Sequence, residues 1–238
     1  MQNNMIRLDK YLTECGAGTR SDVKKIIRQG RIKVNQLSVK GADYKVNPDE
    51  DKVYLDDKEV LYEHFSYYIF HKPAGCITAN SDPAHKTIMD YLPDEIKRKC
   101  SAIGRLDKDT EGLLILTNDG KLSHKLRSPA SHVSKKYYCR LDASIPSEAV
   151  YAFSNGIDIG DVKPTRPATL EILDEDEPAA YITITEGRYH QVKRMFHAIG
   201  CEVTYLKRLT MGELSLGDLP KGEYRKLTDK EIELLKNS

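Results

Sequence analysis

The segment from Gly104 to Gly120 reads GRLDKDTEGLLILTNDG. Its first half is a polar loop bounded by glycines, and the aliphatic run Leu113 to Leu116 that follows predicts a buried strand. A loop that leads into a buried strand can hold a reactive group rigidly. Three carboxylates lie within five positions of this loop, Asp107, Asp109 and Glu111. Their spacing does not choose among them, and a solvated charged turn is the alternative interpretation.

The composition limits what the rest of the chain can be. The 238 residues are 39% hydrophobic and 31% charged, which suits one large or two small domains. The longest aliphatic run is far shorter than the roughly 18–20 residues of a membrane span, and residues 1–10 lack the apolar core of a signal peptide. The five cysteines are widely spread without a CxxC pair, so no disulfide framework or zinc site is predicted. We expect a cytoplasmic protein with reduced thiols and no membrane partner.

Charge is distributed unevenly along the chain. Residues 1–45 carry ten Lys/Arg and four Asp/Glu, residues 46–63 carry two and seven, and the remainder carries 25 of each. A local positive field attracts a polyanion even though the net charge of the whole chain is only +1. The N-terminal region is therefore a candidate nucleic-acid-binding module, with solvated helix faces as the alternative.

Two short helices and several small strands are predicted in this N-terminal region. Apolar spacing predicts a first helix over Arg7–Cys15 and a second over Asp22–Gln29, with Ser21 as the N-cap of the second. Three basic residues recur every four positions and share one face, namely Arg20, Lys24 and Arg28.

The rest of the chain predicts strands and helices in irregular order. The predicted strands are Tyr67–His71, Leu113–Thr117, Tyr137–Leu141, Ala168–Leu173, Tyr181–Thr185, Val203–Lys207 and Glu213–Leu216. The predicted helices are Thr87–Leu92, Leu122–Arg127, Ser147–Ser154, Gln191–Ile199 and Asp229–Lys236. Because strands outnumber helices without alternating with them, we predict an α+β fold built on a mixed, mainly antiparallel sheet with flanking helices.

A second candidate for chemistry is the segment Glu186 to Phe196, EGRYHQVKRMF. Its apolar residues recur at helical spacing, which predicts a buried stripe that ends at Gly200. Its basic residues cluster at the helix start and on the other faces, namely Arg188, His190, Lys193 and Arg194. Cations at a helix N-terminus oppose the macrodipole, so we expect a compensating anion, either a carboxylate or the phosphate of a ligand.

Several of these segments resemble the pseudouridine synthases of the group that contains the RsuA-type and RluA-type ribosomal RNA enzymes. Gly104 to Gly120 resembles the family signature, and His71 to Gly75 (HKPAG) resembles its opening strand-and-turn motif. Lys135 to Tyr137 (KKY) resembles the Lys-x-Tyr segment, and Gly187 to Lys193 (GRYHQVK) resembles the Gly-Arg-x-His-Gln motif. The RsuA type, which modifies a uridine in small-subunit ribosomal RNA, matches best.

The N-terminal region resembles the alpha-L RNA-binding domain of small-subunit ribosomal protein S4, from about Met5 to Val60. Together the two resemblances imply an S4-like RNA-binding domain over residues 1–62 and a catalytic domain over residues 63–238. They imply phosphate contacts by four basic residues, Arg7, Arg20, Lys24 and Arg28. For Arg7 a salt bridge within its helix is the alternative.

The resemblance implies isomerisation of a uridine in RNA to pseudouridine, which needs neither a cofactor nor a metal. By motif position Asp107 is the essential carboxylate, which either attacks the anomeric carbon or removes a proton from the neighbouring sugar carbon. Lys193 matches the cation that keeps this carboxylate ionised, and Tyr137 matches the active-site tyrosine, whose ring could stack on the uracil.

The resemblance also implies how RNA is held. The target uridine must be flipped out of its helix, and Arg105 is the candidate to occupy the vacated space. The other implied contacts to the flipped nucleotide are Arg188, His190, Gln191 and Arg194. The implied partner is small-subunit ribosomal RNA or the assembling small subunit, and we expect a monomer.

Three other functions are consistent with parts of the same sequence pattern. The chain could be a ribosome-assembly factor that only binds RNA, although an intact set of Asp107, Tyr137 and Lys193 argues against a retired site. It could be a synthase that acts on 23S ribosomal RNA or transfer RNA. A glycoside hydrolase with Asp107 and a second carboxylate is the third, and the absence of Trp and the basic N-terminal region argue against it.

Overall fold

The computed structural model describes residues 5–174 and 176–238. These residues form two compact units, of which the first ends at Phe65 and the second spans Ser66–Ser238. The domain boundary after residue 62 stays a prediction. In the described ranges, no helix has the length and apolarity needed to cross a membrane.

The first unit is built from two short helices and small antiparallel strand pairs. Its described elements are β1 (Ile6–Arg7), α1 (Leu8–Glu14), α2 (Arg20–Arg28), β2 (Ile32–Val34), β3 (Leu37–Ser38), β4 (Lys45–Val46), β5 (Val53–Leu55) and β6 (Lys58–Glu59). Strand β1 pairs with β4, and the other strands form a sheet in the order β3-β2-β5-β6. The predicted apolar face of α1 is buried against Val23 and Ile27 of α2.

The prediction for the start of α2 was wrong by two residues. The N-cap is Thr19, not Ser21: the Thr19 hydroxyl accepts a hydrogen bond from the Asp22 backbone N–H. In return, the Asp22 carboxylate accepts one from the Thr19 backbone N–H at 3.2 Å. This reciprocal capping box satisfies two backbone donors at once, an advantage that Ser21 lacks because no acidic residue follows it three positions later.

The second unit alternates strands and helices irregularly. Its described elements are β7 (Tyr67–Lys72), a 3₁₀ helix (Ile88–Tyr91), α3 (Asp94–Lys99), β8 (Ser101–Ile103), β9 (Glu111–Thr117), α4 (Gly120–Arg127), a 3₁₀ helix (Pro129–Ser131), β10 (Lys135–Leu141), α5 (Ala149–Asn155), β11 (Thr169–Leu173), β12 (Ala179–Ile184), α6 (Gln191–His197), β13 (Val203–Met211), β14 (Leu214–Ser215), β15 (Tyr224–Lys226) and α7 (Asp229–Asn237). Helix α3 and strands β8 and β15 were missed because each is short. The predicted strand Val203–Lys207 extends to Met211, since it pairs along its length with β10.

These strands form one mixed sheet in the order β11-β12-β10-β13-β9-β7-β15, with β14 added to β13 and β8 to β9. Strands β9 and β13 pair in parallel, with Lys207 opposite Glu111 and Arg208 opposite Gly112. The other strand pairs of this sheet in the described residues are antiparallel. The α+β fold and the mainly antiparallel sheet are therefore confirmed.

Candidate active site

The second unit contains a cavity of about 1000 Å³ beside the central strands of its sheet. The loop between β8 and β9, strands β10 and β13, and the turn that leads into α6 form its wall. The predicted site residues that line it are Arg105, Asp107, Tyr137, Arg188, His190, Gln191 and Lys193. Of the residues predicted to act at this site, Arg194 is the one that does not line the cavity.

The loop that carries Asp107 is held by a buried lysine. The Lys72 side chain is fully buried, and its Nζ donates to the backbone carbonyls of Asp107 and Thr110, both at 2.9 Å, and of Pro73 at 3.1 Å. A fourth carbonyl, that of Lys108, lies at 3.4 Å, so the three donors of the ammonium group are all used. Burial lowers the pKa of Lys72, and these hydrogen bonds offset part of the cost of burying its charge.

Hydrogen bonds from two further residues fix the same loop. The Thr78 hydroxyl donates to the Leu106 carbonyl at 2.9 Å and accepts from the Leu106 N–H at 3.1 Å. The Gly75 N–H donates to the Lys108 carbonyl at 2.7 Å. Because backbone groups on both sides of Asp107 are bonded, its carboxylate is positioned before any ligand arrives.

The structure separates the three carboxylates that the sequence leaves equivalent. Asp107 lines the cavity, whereas Asp109 and Glu111 do not. Glu111 is buried and accepts hydrogen bonds from Tyr205 at 2.7 Å and Lys221 at 3.0 Å. Asp107 is therefore the carboxylate with access to a ligand in the cavity.

Two cationic or potentially cationic side chains flank the Asp107 carboxylate. His190 Nε2 lies 3.5 Å from one of its oxygens and Lys193 Nζ lies 3.6 Å from the other. Lys193 makes shorter contacts to Asp109, at 2.6 and 2.7 Å. Burial of Asp109 opposes its ionisation, but the hydrogen bonds and charge of Lys193 outweigh that effect and lower the pKa of Asp109. The predicted cation beside Asp107 is present, and it is shared with a second carboxylate.

Tyr137 lies on β10, where its side chain is 7% exposed and faces the cavity. Its cross-strand neighbour on β13 is Arg208, which is 2% exposed and donates from Nε to the Leu113 carbonyl at 2.8 Å. The Nη2 group of Arg208 is buried without a hydrogen-bond partner among the described residues.

Lys135, two residues before Tyr137 on β10, also lines the cavity. Its Nζ donates to the Val133 carbonyl at 2.8 Å. Burial and the positive charge of Arg208 lower the pKa of Lys135 to about 8, although Glu186 opposes the shift. The cavity wall thus has a cluster of basic groups around one open carboxylate, an arrangement that favours an anionic ligand.

The expected anions at the start of α6 are protein carboxylates. Asp161 accepts from Arg194 at 2.5 Å and from Arg188 at 3.2 Å, and the hydrogen bond from Arg194 is the main reason that the pKa of Asp161 is lowered. Glu186, which is buried, accepts from Gln191 at 2.9 Å and from Arg188 at 3.3 Å. Protein carboxylates, one of the two kinds of anion that the sequence left open, are therefore present at the start of this helix.

Two residues of the cavity wall have side chains that are accessible to solvent. Arg105 is exposed and forms no ion pair with the residues that the structure describes. His190 has a left-handed backbone conformation (φ +48°) and stacks on the 76%-exposed ring of Tyr189, with ring centroids 3.8 Å apart. Both side chains are therefore reachable by a large ligand.

The basic residues of the first unit fall into two groups. Arg20, Lys24 and Arg28 are exposed along α2, as the four-residue spacing predicts. Arg7 instead forms a bidentate ion pair with Asp9, at 2.9 and 3.0 Å. Arg7 lies in β1, one residue before α1 begins, so this salt bridge is not within its helix as the alternative had it. The phosphate contact of Arg7 stays a prediction.

Sequence reasoning missed Lys72, Thr78, Lys135 and Arg208 as site residues. Lys72 and Lys135 belong to motifs that the sequence singled out, so the signal existed without an assigned role. Thr78 and Arg208 carry no local signal, because their function depends on backbone groups far away in the sequence.

The fold and this site define an enzyme of RNA modification. A family model described as RNA pseudouridylate synthase matches residues 66–198, and one described as S4 domain matches residues 6–52. The chain belongs to the RNA pseudouridylate synthase family and is an isomerase.

Several relatives are similar over nearly the whole chain. An uncharacterized RNA pseudouridine synthase of Bacillus subtilis is 43% identical, and the match covers 97% of this chain and 98% of the relative. Ribosomal small subunit pseudouridine synthase A of Haemophilus influenzae is 41% identical, covering 97% and 99%, and that of Escherichia coli is 37% identical, covering 95% and 98%. A crystal structure of a pseudouridylate synthase matches with a TM-score of 0.69 and 40% identity, covering 97% of this chain and 99% of that one.

Proposed function

We propose that the protein isomerises a specific uridine of small-subunit ribosomal RNA to pseudouridine, with Asp107 as the essential carboxylate. In this reaction the bond between C1′ and N1 breaks, the uracil turns within the cavity, and C5 bonds to C1′. C5 loses a proton and N1 gains one, so the composition of the RNA does not change. Asp107 either attacks C1′ or removes the proton from C2′, and both roles need its ionised form.

The observation that carries this proposal is the position of the Asp107 carboxylate. It faces a cavity of about 1000 Å³, with His190 at 3.5 Å and Lys193 at 3.6 Å. The loop behind this carboxylate is bonded through Lys72, so a flipped nucleotide would meet a carboxylate that is already oriented.

Lys193 has a shared role in this proposal. Its two short contacts to Asp109 hold the ammonium group on the cavity wall, while its longer approach to Asp107 leaves that carboxylate free to react. Asp109 is therefore a positioning residue that acts through Lys193.

The remaining predicted site residues have different roles in the proposal. Tyr137 stacks on the uracil, and Arg105 fills the space that the flipped nucleotide leaves. His190 contacts the nucleotide directly. Arg188 and Gln191 contact it at the wall where Glu186 orients them.

Arg194 is proposed to act on the nucleotide through the loop that it holds. Its guanidinium donates to the Ile159 carbonyl and to Asp161, both at 2.5 Å. The same loop also accepts hydrogen bonds from Arg188. The contacts of Arg194 would hold this loop in place.

The small-subunit substrate is proposed from two sources. Relatives that share 36–41% of their residues with this chain are named ribosomal small subunit pseudouridine synthase A, and the first unit has the exposed basic face expected of an RNA-binding S4 domain. A monomer located in the cytoplasm, where ribosomal RNA is modified, belongs to the same proposal.

The test of the catalytic assignment compares Asp107→Asn with Asp109→Asn. Both variants remove one negative charge from the same loop, so their effects on RNA attraction are matched. Asp107→Asn is expected to form no detectable pseudouridine while binding RNA at least as tightly as the wild type. Asp109→Asn is expected to retain product formation with a reduced rate, because Lys193 loses its anchor. Product from Asp107→Asn at the wild-type rate would end the proposal, and equal loss in both variants would remove the special role of Asp107.

The substrate is tested by a carbodiimide map of pseudouridine in total RNA from cells with and without the protein. Loss of one site in 16S ribosomal RNA is expected. Loss of a site in 23S ribosomal RNA or transfer RNA would keep the enzyme class and correct the substrate. An unchanged map, with ribosome assembly impaired, would favour a non-catalytic assembly factor.

The RNA contacts of the first unit are tested by salt dependence. Replacing all three of Arg20, Lys24 and Arg28 by Gln is expected to reduce the magnitude of the slope of log K against log salt by about 0.7–0.9 for each phosphate that is no longer neutralised. Arg7→Gln is the comparison, since Arg7 is paired with Asp9 and we expect a smaller change in slope. An unchanged slope in the triple variant would remove α2 from the RNA interface.

A further inference from the structure

The central sheet of the second unit has a second concave surface, with a volume of about 490 Å³. Besides Leu209, it is lined by three tyrosines and three cations, namely Tyr138, Tyr181, Tyr205, Arg140, Lys207 and Lys221. We call this set the tyrosine face. None of its members was singled out by the sequence, and none has a role in the proposed reaction.

The tyrosine face lies on the side of the sheet opposite the cavity, because side chains alternate along a strand. Tyr137 on β10 faces the cavity, so its neighbour Tyr138 points to the other side. In the same way, Arg208 of β13 faces the cavity and Lys207 faces away from it. Each of these two strands therefore contributes to both surfaces through adjacent residues.

Strand register assembles the tyrosine face into one row. Tyr138 is the cross-strand partner of Tyr181 on β12 and of Lys207 on β13, and Arg140 is the partner of Tyr205. The ring centroid of Tyr138 lies 5.8 Å from that of Tyr181 and 6.1 Å from that of Tyr205. Three aromatic rings thus lie side by side on neighbouring strands.

The helices of this half of the sheet pack on the other side. Residues of α5 and α6 such as Phe153 and Phe196 pack with Tyr137 and Cys139 on the cavity side. The rings of the tyrosine face are only partly buried. Their orientation is fixed at one end, where the Tyr205 hydroxyl donates to the buried Glu111 at 2.7 Å.

Cations surround these rings. The Lys136 ammonium lies 4.2 Å from the ring centroid of Tyr181, and the Arg140 guanidinium and the Lys221 ammonium lie 5.8 and 5.9 Å from that of Tyr205. Arg140 is paired with Glu177 at 3.4 Å, but both side chains are more than half exposed, and exposed pairs of this kind contribute little stability. Lys207 forms no ion pair with any described residue. A phosphate would therefore find Lys207 available, with Arg140 nearby at the surface.

We propose that the tyrosine face binds a single-stranded segment of RNA away from the target uridine. Bases would stack on the tyrosine rings, and phosphates would contact Arg140, Lys207 and Lys221. Open sheet faces with aromatic side chains bind single-stranded RNA in other folds by the same physics. This surface would extend the RNA interface to the side of the sheet that the cavity does not reach.

The test uses the full chain and a labelled 12-nucleotide oligocytidylate as the probe. The probe is single-stranded and contains no uridine, so it does not supply the target base of the reaction. Tyr138→Leu combined with Tyr181→Leu is expected to weaken binding by roughly tenfold or more, since one stacked base is worth about a factor of ten. Tyr151→Leu, at a 76%-exposed tyrosine on α5, is the matched control and should bind as the wild type does.

A second pair of variants keeps the proposal testable if the tyrosine variant unfolds. Arg140→Gln with Lys207→Gln should reduce the magnitude of the salt slope of oligocytidylate binding by about 0.7 for each phosphate that is no longer neutralised. Wild-type affinity and slope in both pairs of variants would overturn the proposal. Loss of binding only to a protein-containing ribosomal particle, with oligocytidylate binding intact, would overturn it in favour of a protein partner.

If the tyrosine variant weakens oligocytidylate binding while Asp107→Asn still binds it, the tyrosine face and the catalytic assignment stand separately. Failure of the catalytic assignment alone would leave this surface untouched, because its readout does not need turnover.

Discussion

Replacing Gly112 by alanine should disrupt the pairing of strands β9 and β13, which joins the two halves of the sheet. Gly112 has φ +112°, and a Cβ atom built there would lie 2.2 Å from the backbone oxygen and 2.6 Å from the backbone nitrogen of Arg208. These atoms belong to the neighbouring strand, where Arg208 pairs with Gly112 in parallel. No flexible side chain can move aside, so strands β9 and β13 must separate.

The magnitude follows from two contributions. A side chain at a positive φ costs about 1–3 kcal/mol, and forcing an atom into a packed position costs about 1–3 kcal/mol more. We expect the second unit to lose about 2–6 kcal/mol of unfolding free energy. Gly104→Ala is the matched control: its φ is +73°, and its Cβ would meet nothing within 4 Å. Only the conformational cost of about 1–2 kcal/mol applies there.

Denaturant unfolding of the two variants, followed by circular dichroism, measures the difference. Gly112→Ala should have a much lower midpoint than Gly104→Ala, with a similar slope. The residual activity of Gly112→Ala should also fall. Arg208 lies on β13 and the loop with Asp107 leads into β9, so separating these strands would move the two apart. Equal losses of stability in the two variants would refute the argument from backbone overlap.

Three other substitutions test single features. Lys72→Met should keep the fold but lower kcat about 10–100-fold, because the carbonyls that orient Asp107 lose their donor and small misplacements of catalytic groups are costly; single-turnover kinetics measure this. Lys135→Met should remove a pH dependence of stability. The pKa of Lys135 is about 8 in the folded protein and 10.5 in its ordinary state, so the unfolded chain binds more protons between these pH values. The stability of the wild type should therefore increase relative to the variant, by at most about 3 kcal/mol, as pH rises from 8 to 10.5. Glu231→Gln should lose stability at neutral pH, because the hydrogen bond from Arg225 lowers the pKa of Glu231 from 4.5 to about 2. The wild-type advantage, at most about 3 kcal/mol before solvent screening, should be present above pH 4.5 and vanish as pH falls to 2 in acid titrations of stability.

Each of these three predictions would be contradicted by a specific result. Wild-type kcat in Lys72→Met would mean that the loop is held without its lysine. Parallel stability curves for wild type and Lys135→Met between pH 8 and 10.5 would contradict the lowered pKa. A Glu231→Gln deficit that persists at pH 2 would assign its effect to poorer packing instead of ionisation.

The elements that could be predicted are those whose signal is local. The helical spacing of Val192, Met195, Phe196 and Ile199 predicted a buried stripe; the first three are buried and Ile199 is partly buried against the same core. The aliphatic run of β9 and the basic face of α2 were likewise predicted correctly. In each case the residues that decide the structure are a few positions apart, so the pattern is visible in the sequence.

The missed parts depend on partners that are distant in the sequence. Helix α3 and strand β8 are short, and β8 exists because it pairs with β9. Asp161 was not recognised as an anion beside Arg188, since a loop residue so many positions away has no periodic signal. The sequence predicted that an anion is needed, but not which residue supplies it.

The limits of sequence reasoning are clearest at Lys72. A lysine within the run Tyr67 to Lys72 suggests the end of a strand, yet it is fully buried, and its partners are backbone carbonyls of a loop 35 to 38 positions later. Backbone acceptors are identical in every residue, so no side-chain pattern can reveal them. Motif resemblance predicts that Asp107 is the reactive carboxylate, but the reason that Asp107 is held in place lies in hydrogen bonds that only the folded chain creates. A candidate catalytic residue can therefore be proposed from sequence more readily than the groups that position it.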